Sequence, residues 1–180
     1  STGKFKLLPS DYDPRYESPR TVDCQQDILD QLNAINCKKV MLIDACHSGS
    51  AYAVAGSRSN TDKQLSEALT KLIATQPGLS TLTSCHNNEL SYEDENWENG
   101  AFTEAILEAF NNKSVTDEQG LNRPDADGDN VVTLGELYQY LQRRVPQLVK
   151  ERKPNAPTTQ VPFMPETQLN KEMPLFFLGQ

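Results

Sequence analysis

The sequence predicts an α/β fold, a mostly parallel sheet with helices on both faces. Three observations carry that expectation. Strand-like and helix-like segments alternate along the chain. Residues 38–45 (KKVMLIDA) are lysine-led and then apolar at consecutive positions, as in a strand covered on both sides. Residues 61–76 carry a helical pattern between that strand and the next, which makes a βαβ unit.

Each element follows from local chemistry. Residues 4–8 (KFKLL) read as a short strand closed by Pro9, and residues 9–20 as a loop rich in Pro, Ser and Asp. Residues 22–36 place Ile28, Leu29, Leu32 and Ile35 at helical spacing. The strand at 38–45 ends in Asp44, Cys46 follows, and small residues dominate the loop at 47–60. Residues 61–76 form a helix capped by Asn60 or Thr61, with Leu65, Ala68, Leu69 and Leu72 inside, and Pro77-Gly78 stops it. Residues 79–84 (LSTLTS) are a further strand. Residues 85–100 form a polar loop whose length in a compact domain often marks function. Residues 101–111 are a helix, and residues 113–124 look irregular. Residues 134–149 are another helix, kinked or ended near Pro146. The tail holds two short apolar runs, 161–164 and 175–178. Ligands of parallel sheets sit at the carboxyl ends of the strands. Cys46 and the 85–100 loop therefore fall on the same rim.

The chain has 180 residues, enough for one domain with a sizeable core. Its net charge of -8 argues against nucleic-acid and anionic-membrane partners, which both attract basic patches. No apolar run approaches the roughly 18 residues of a membrane helix, and no signal peptide is present. The chain opens Ser1-Thr2-Gly3-Lys4 without Met and enters a strand at once, so it reads as a piece of a longer polypeptide. Cys24, Cys37, Cys46 and Cys85 match no zinc spacing. They indicate a reducing compartment, with two or three of them as buried structural thiols.

The chemistry centres on "LIDACHSGSA", residues 42–51, where a strand presents one thiol at its tip. A cysteine attacks as the thiolate, so it needs an activating base and donors for an oxyanion. The small residues at 47–51 leave room for a substrate backbone. The plainer reading is a strand-end cysteine packed under a loop.

"DACHSG" at 44–49 resembles the nucleophile motif of the caspase-like cysteine peptidases: caspases, metacaspases and bacterial orthocaspases, family C14. "KFKLLPSDYDP" at 4–14 resembles the segment just after their catalytic histidine. "TSCHNNELSYEDENWENGAFTEAILEAF" at 83–110 is similar to their small-subunit strand, specificity loop and following helix. "DADGDNVVTLGELYQYLQRRV" at 125–145 resembles an acidic turn and helix that often come next, and "TTQVPFM" near the end also fits. The resemblance implies a three-layer α-β-α sandwich. Residues 1–60 would end the large-subunit-like part, and residues 61–180 would form the small-subunit-like part, of one peptidase domain. It implies that Cys46 attacks the scissile carbonyl and that an oxyanion is held by its own backbone N–H and a donor from another segment. A histidine would protonate the leaving amine.

One departure stands out. The family's base is a histidine on the strand preceding the KFKLL segment, and this chain has only His47 and His86. Neither matches that position. The expectation is that the histidine lies upstream of Ser1, in a partner piece or an omitted segment of the same polypeptide. A pseudoenzyme is the remaining alternative.

In metacaspase-like members the Asp two residues before the nucleophile lines the pocket for the residue preceding the cleaved bond. Asp44 holds that place here. A carboxylate pairs with Arg or Lys and repels an acid. No arginine lies between residues 59 and 122, so the loop offers none of the arginines with which caspases proper bind Asp. The resemblance thus implies cleavage of protein or peptide substrates after Arg or Lys, with Ser91, Tyr92 and Glu93 beside the bound chain. The backbone of residues 90–92 would pair with the substrate. Tyr92 or Trp97 would wall a subsite or prop the loop. Arg58 and Lys63 are candidate processing sites or plain surface charges. The plainer alternative for Asp44 is a strand-end cap.

Asp125, Asp127, Asp129 and Glu136 occupy positions 1, 3, 5 and 12 of a calcium-loop pattern, with Asn130 where glycine is expected at position 6. An acidic turn capping the 134–149 helix is the alternative. Asp11 and Asp13 are a weaker pair for the same ion. The thiol chemistry requires no cofactor, and calcium is the one the pattern admits. Two other functions stay open: a non-catalytic interaction module of the same fold, and a calcium-binding regulatory domain. A cytoplasmic location is an expectation from the resemblance alone.

Overall fold

The computed structural model describes residues 6–7, 13, 15–16, 21–44, 78–85, 89–157, 159–164 and 170–179. The loop at 47–60, the helix expected at 61–76, and Cys46, His47, Arg58, Lys63, His86 and Asp11 lie outside the described residues.

Strand β1 (Lys6–Leu7) pairs antiparallel with β2 (Val22–Asp23). Asp23 then caps the next element, its carboxylate accepting from the N–H groups of Gln25 and Gln26, while Asp27 accepts from the Asp23 N–H. A π-helical turn (Cys24–Leu29) runs into α1 (Asp30–Asn33). The helix is shorter than its periodicity predicts. A tight turn in which the Ile35 N–H donates to the Leu32 carbonyl closes it, and Ile35 is left exposed. Leu29 packs with Leu79, beside Leu32, Met41 and Ile43.

The expected strand pair is present. β3 (Lys39–Ile43) pairs parallel with β4 (Leu79–Thr83), from Lys39 opposite Leu79 to Ile43 opposite Thr83. β4 is buried from Leu79 to Leu82, whereas Leu42 of β3 is 41% exposed. Thr83 exchanges two backbone hydrogen bonds with Phe163, so the first apolar run of the tail lies beside the end of β4.

Three segments depart from expectation. The polar loop contains a ribbon, β5 (Glu93–Asp94) with β6 (Asn99–Gly100), whose turn buries Trp97 in the core. The segment read as irregular is a hairpin, β7 (Val115–Asp117) with β8 (Gly120–Asn122), its turn held by Asp117 accepting the Gln119 N–H. Gly120 has φ +104°, where a side chain would be strained. The long helix does not stop at Pro146.

α2 (Ala101–Phe110) buries Ala101, Phe102, Ala105, Ile106 and Ala109. β9 (Val131–Thr133) leads into α3 (Leu134–Arg152), which starts on a capping box between Thr133 and Glu136. α3 continues through Pro146 because Leu141, Val145, Leu148 and Val149 are buried on both sides of it. Their packing offsets the roughly 3 kcal/mol that an internal proline costs. β10 (Pro174–Phe177), the second apolar run, pairs antiparallel with β9. Among the described residues one ladder is parallel and the other four pairings are antiparallel ribbons. None of the described helices is long and apolar enough to cross a membrane.

A buried ion pair ties α2 to α3. Arg144 Nε lies 2.5 Å from Glu108 Oε2, and its Nη2 lies 2.9 Å from Oε1. Lys113 also pairs with Glu108, and Glu151 with Arg144. Burial alone would raise the Glu108 carboxyl, but the bonds from Arg144 and Lys113 outweigh it and hold the group below its ordinary range. Its contribution is therefore full above the unfolded value of about 4.3 and fades as the pH falls below that. Glu108→Gln should cost about 3 kcal/mol at pH 7, because it leaves the Arg144 charge under-compensated. Urea denaturation at pH 7 and at pH 3 checks this. The gap between wild type and variant should shrink at the lower pH.

Candidate active site

Asp44 stands just past the end of β3, two residues before Cys46. Its Oδ2 accepts from the Thr103 hydroxyl at 2.6 Å and the Thr103 N–H at 3.3 Å, and its Oδ1 accepts from the Ser91 hydroxyl at 3.2 Å. Thr103 is in the first turn of α2, whose N-cap, Gly100, has no side chain. Asp44 takes the place of that missing cap. A Cβ on Gly100 would lie 2.5 Å from Asp44 Oδ2. Gly100 has an ordinary extended φ of -79°, so close approach, rather than backbone freedom, calls for glycine here. A carboxylate at a helix N-terminus is also favoured by the helix dipole. The residue remains exposed, so the group is tied down yet open to solvent.

Ser91 and Tyr92 are gripped from below by Gln160, which is fully buried. Gln160 Oε1 accepts from the Tyr92 N–H at 2.8 Å, and its Nε2 donates to the Ser84 carbonyl at 3.0 Å and the Ser91 hydroxyl at 3.2 Å. Glu89 accepts from the Val161 N–H beside it, and the Ser84 N–H donates to the Ile43 carbonyl. The end of β3, the end of β4, the loop at 89–92 and the tail thus meet in one polar junction.

The structure brings Asp44 and Ser91 together, and it separates the roles of the other loop residues. Tyr92 packs against the main core, and both of its backbone groups are engaged, the N–H by Gln160 and the carbonyl by the Ala101 N–H. Trp97 is buried in the core. Glu93, Glu95 and Glu98 are exposed. Of the cysteines, Cys85 is buried as expected and Cys37 is exposed. Thr103, Gly100 and Gln160 were not legible as site residues. A lone Gln has no periodic or spacing signal, although Gly100 directly before an apolar helix pattern hints at a cap without a side chain.

The acidic turn brings three carboxylates together. The carboxylate oxygens of Asp125, Asp127 and Glu136 lie within 4.8 Å of one another, and Asp129 falls outside that group. Asp125 accepts the N–H groups of Gly128 and Asn130, and Asp129 accepts that of Val131. Asn130 has φ 66°, the left-handed conformation that glycine usually supplies at that position. A hairpin replaces the helix that precedes such loops elsewhere. Burial pushes the Glu136 carboxyl up, but hydrogen bonds from Thr133 and Ala126 bring it below its usual range. Asp13 is taken by Arg15, which holds it in a forked pair.

The comparisons with known proteins bear on the whole chain. No curated protein matches it, and no solved structure matches it. The family model described as the caspase domain, Peptidase_C14, matches residues 6–174. That span takes in the Cys46 motif, the Asp44 junction, both long helices and most of the tail, and by it the chain belongs to the caspase-domain family of cysteine peptidases.

Proposed function

We propose that this protein is a metacaspase- or orthocaspase-like endopeptidase that cleaves protein substrates after Arg or Lys. One observation carries the specificity: an exposed carboxylate, Asp44, two residues before the motif cysteine and fixed by Ser91 and Thr103. Two oxygens hold about four acceptor sites, and three bonds are used, so capacity for a guanidinium or ammonium remains. The exposed Glu93, Glu95 and Glu98 add negative potential nearby, which favours a cationic side chain.

In this reading Cys46 is the nucleophile and its backbone N–H helps to hold the oxyanion. The base is a histidine from a segment upstream of Ser1, since neither His47 nor His86 occupies the family position. The thiolate attacks the carbonyl carbon, the histidine gives its proton to the leaving amine, and water then releases the acyl group. The peptidase is a three-layer α-β-α sandwich, works in the cytoplasm and binds neither nucleic acid nor membrane. Arg58 and Lys63 suit its own preference and are the candidate processing sites.

A second reading concerns regulation. The convergence of Asp125, Asp127 and Glu136, with left-handed Asn130 at position 6, favours calcium at this loop, with Asp129 as a further ligand. Calorimetry should show heat at millimolar calcium that Asp125→Ala abolishes. Silence of the wild-type protein removes the reading.

The peptidase itself is tested by a peptidyl electrophile bearing Arg, applied to the full polypeptide. Cys46 should be labelled far faster than Cys24 or Cys37, and faster than by the same reagent bearing Asp. Equal labelling of the three thiols would instead indicate a non-catalytic interaction module. Asp44→Asn should cut the preference for Arg over a neutral side chain by about 10- to 100-fold, the worth of one charge-assisted hydrogen bond. Gly100→Ala should move the same preference in the same direction, because the new methyl displaces the carboxylate.

A further inference from the structure

We infer that Gln160, 114 residues after Cys46 in sequence, is a positioning residue that orients the Asp44 carboxylate through the Ser91 hydroxyl. The inference rests on the proposed role of Asp44 as the charge that receives a basic side chain.

A fully buried glutamine is uncommon unless its amide is paired. Gln160 is paired three times, and the partners fix which way the amide faces. The Tyr92 N–H can only donate, so Oε1 must point at it. The Ser84 carbonyl can only accept, so Nε2 must point the other way. The second hydrogen of that nitrogen is then aimed at Ser91 Oγ, 3.2 Å away. The Ser91 hydroxyl accepts from that nitrogen and gives its single proton to Asp44 Oδ1. Thr103 holds the other oxygen. The carboxylate is thus set from two sides: by the first turn of α2, and by a directional chain running from Gln160 through Ser91.

Two substitutions separate this role from plain packing. Gln160→Glu keeps the volume and the acceptor facing Tyr92, but it replaces the donor with an acceptor. The Ser91 proton then turns toward residue 160, and Asp44 loses that bond. Ser91→Ala leaves the grip of Gln160 on Ser84 and Tyr92 and removes the hydroxyl that links Gln160 to Asp44. Both variants should raise KM for an Arg peptide about 10-fold, the effect of about one hydrogen bond to a charged group, with a smaller change in kcat. The matched peptide with citrulline in place of Arg should change far less. In an Asp44→Asn background neither substitution should reduce the preference for Arg further.

The outcomes are distinct. Loss of Arg preference in both variants, absent in the Asp44→Asn background, supports the inference. Equal losses on Arg and citrulline peptides overturn it in favour of a structural role. So does unchanged preference in Ser91→Ala, which decides the matter even if Gln160→Glu does not fold. A wild-type protein with no preference for Arg removes the reading of Asp44 and the inference together. A wild-type preference that both variants retain removes the inference alone.

Discussion

The bond between Asp44 and the first turn of α2 is the constraint on which the rest of the rim depends. α2 begins at a residue without a side chain, and its N–H groups need an acceptor. The strand carrying the nucleophile motif supplies one. The contact requires Gly100 to stay small, since any Cβ would meet the carboxylate. It also fixes the end of β3 against the helix that follows the specificity loop. The same carboxylate therefore serves two purposes. Its charge stabilises a helix terminus, and its exposed side is the one to which the proposed function assigns a basic side chain.

That arrangement needs a rigid base, and the α2–α3 pair provides it. Leu134, Leu137, Tyr140, Leu141 and Val145 of α3 pack with Phe102, Ala105 and Ala109 of α2 in one buried cluster. The Glu108–Arg144 pair crosses the same interface. A buried pair of this kind adds little net stability, but it penalises any sliding that would separate the two charges. Rotation or translation of α2 would carry Thr103 away from Asp44. The register of the helix pair is thus tied to the geometry of the rim.

Much of this was legible in the residues. The apolar run at 38–45 and the pattern at 79–84 marked two parallel strands, although β3 is only partly covered, with Leu42 exposed, and the buried β4 carries Ser80 and Thr81 among its leucines. The 101–111 helix and the start of the 134–149 helix had equally local signals. The ribbon at 93–100 did not: a two-residue pairing around a buried Trp97 has no alternation to read. The hairpin at 115–122 rests on an Asx turn and one left-handed glycine, within a segment otherwise polar. Of the two expectations at Pro146, a kink or an end, the end is ruled out, because packing on either side carries the helix through to Arg152. At the site, Asp44 was singled out by the family resemblance, which places an Asp two residues before the motif cysteine. Gln160 could not be found, because its partners lie 68 to 76 residues away and only the folded chain brings them together. The family resemblance named the thiol and the pocket charge. The long-range hydrogen bonds explain how that charge is held.

The most direct measurement is hydrolysis of fluorogenic peptides ending in Arg, Lys or Asp by the polypeptide with its upstream segment, with the Cys46→Ala protein beside it. Cleavage after Arg and Lys, absent in the variant, is the expected result. Cleavage after Asp, or activity that survives the loss of Cys46, would contradict the account.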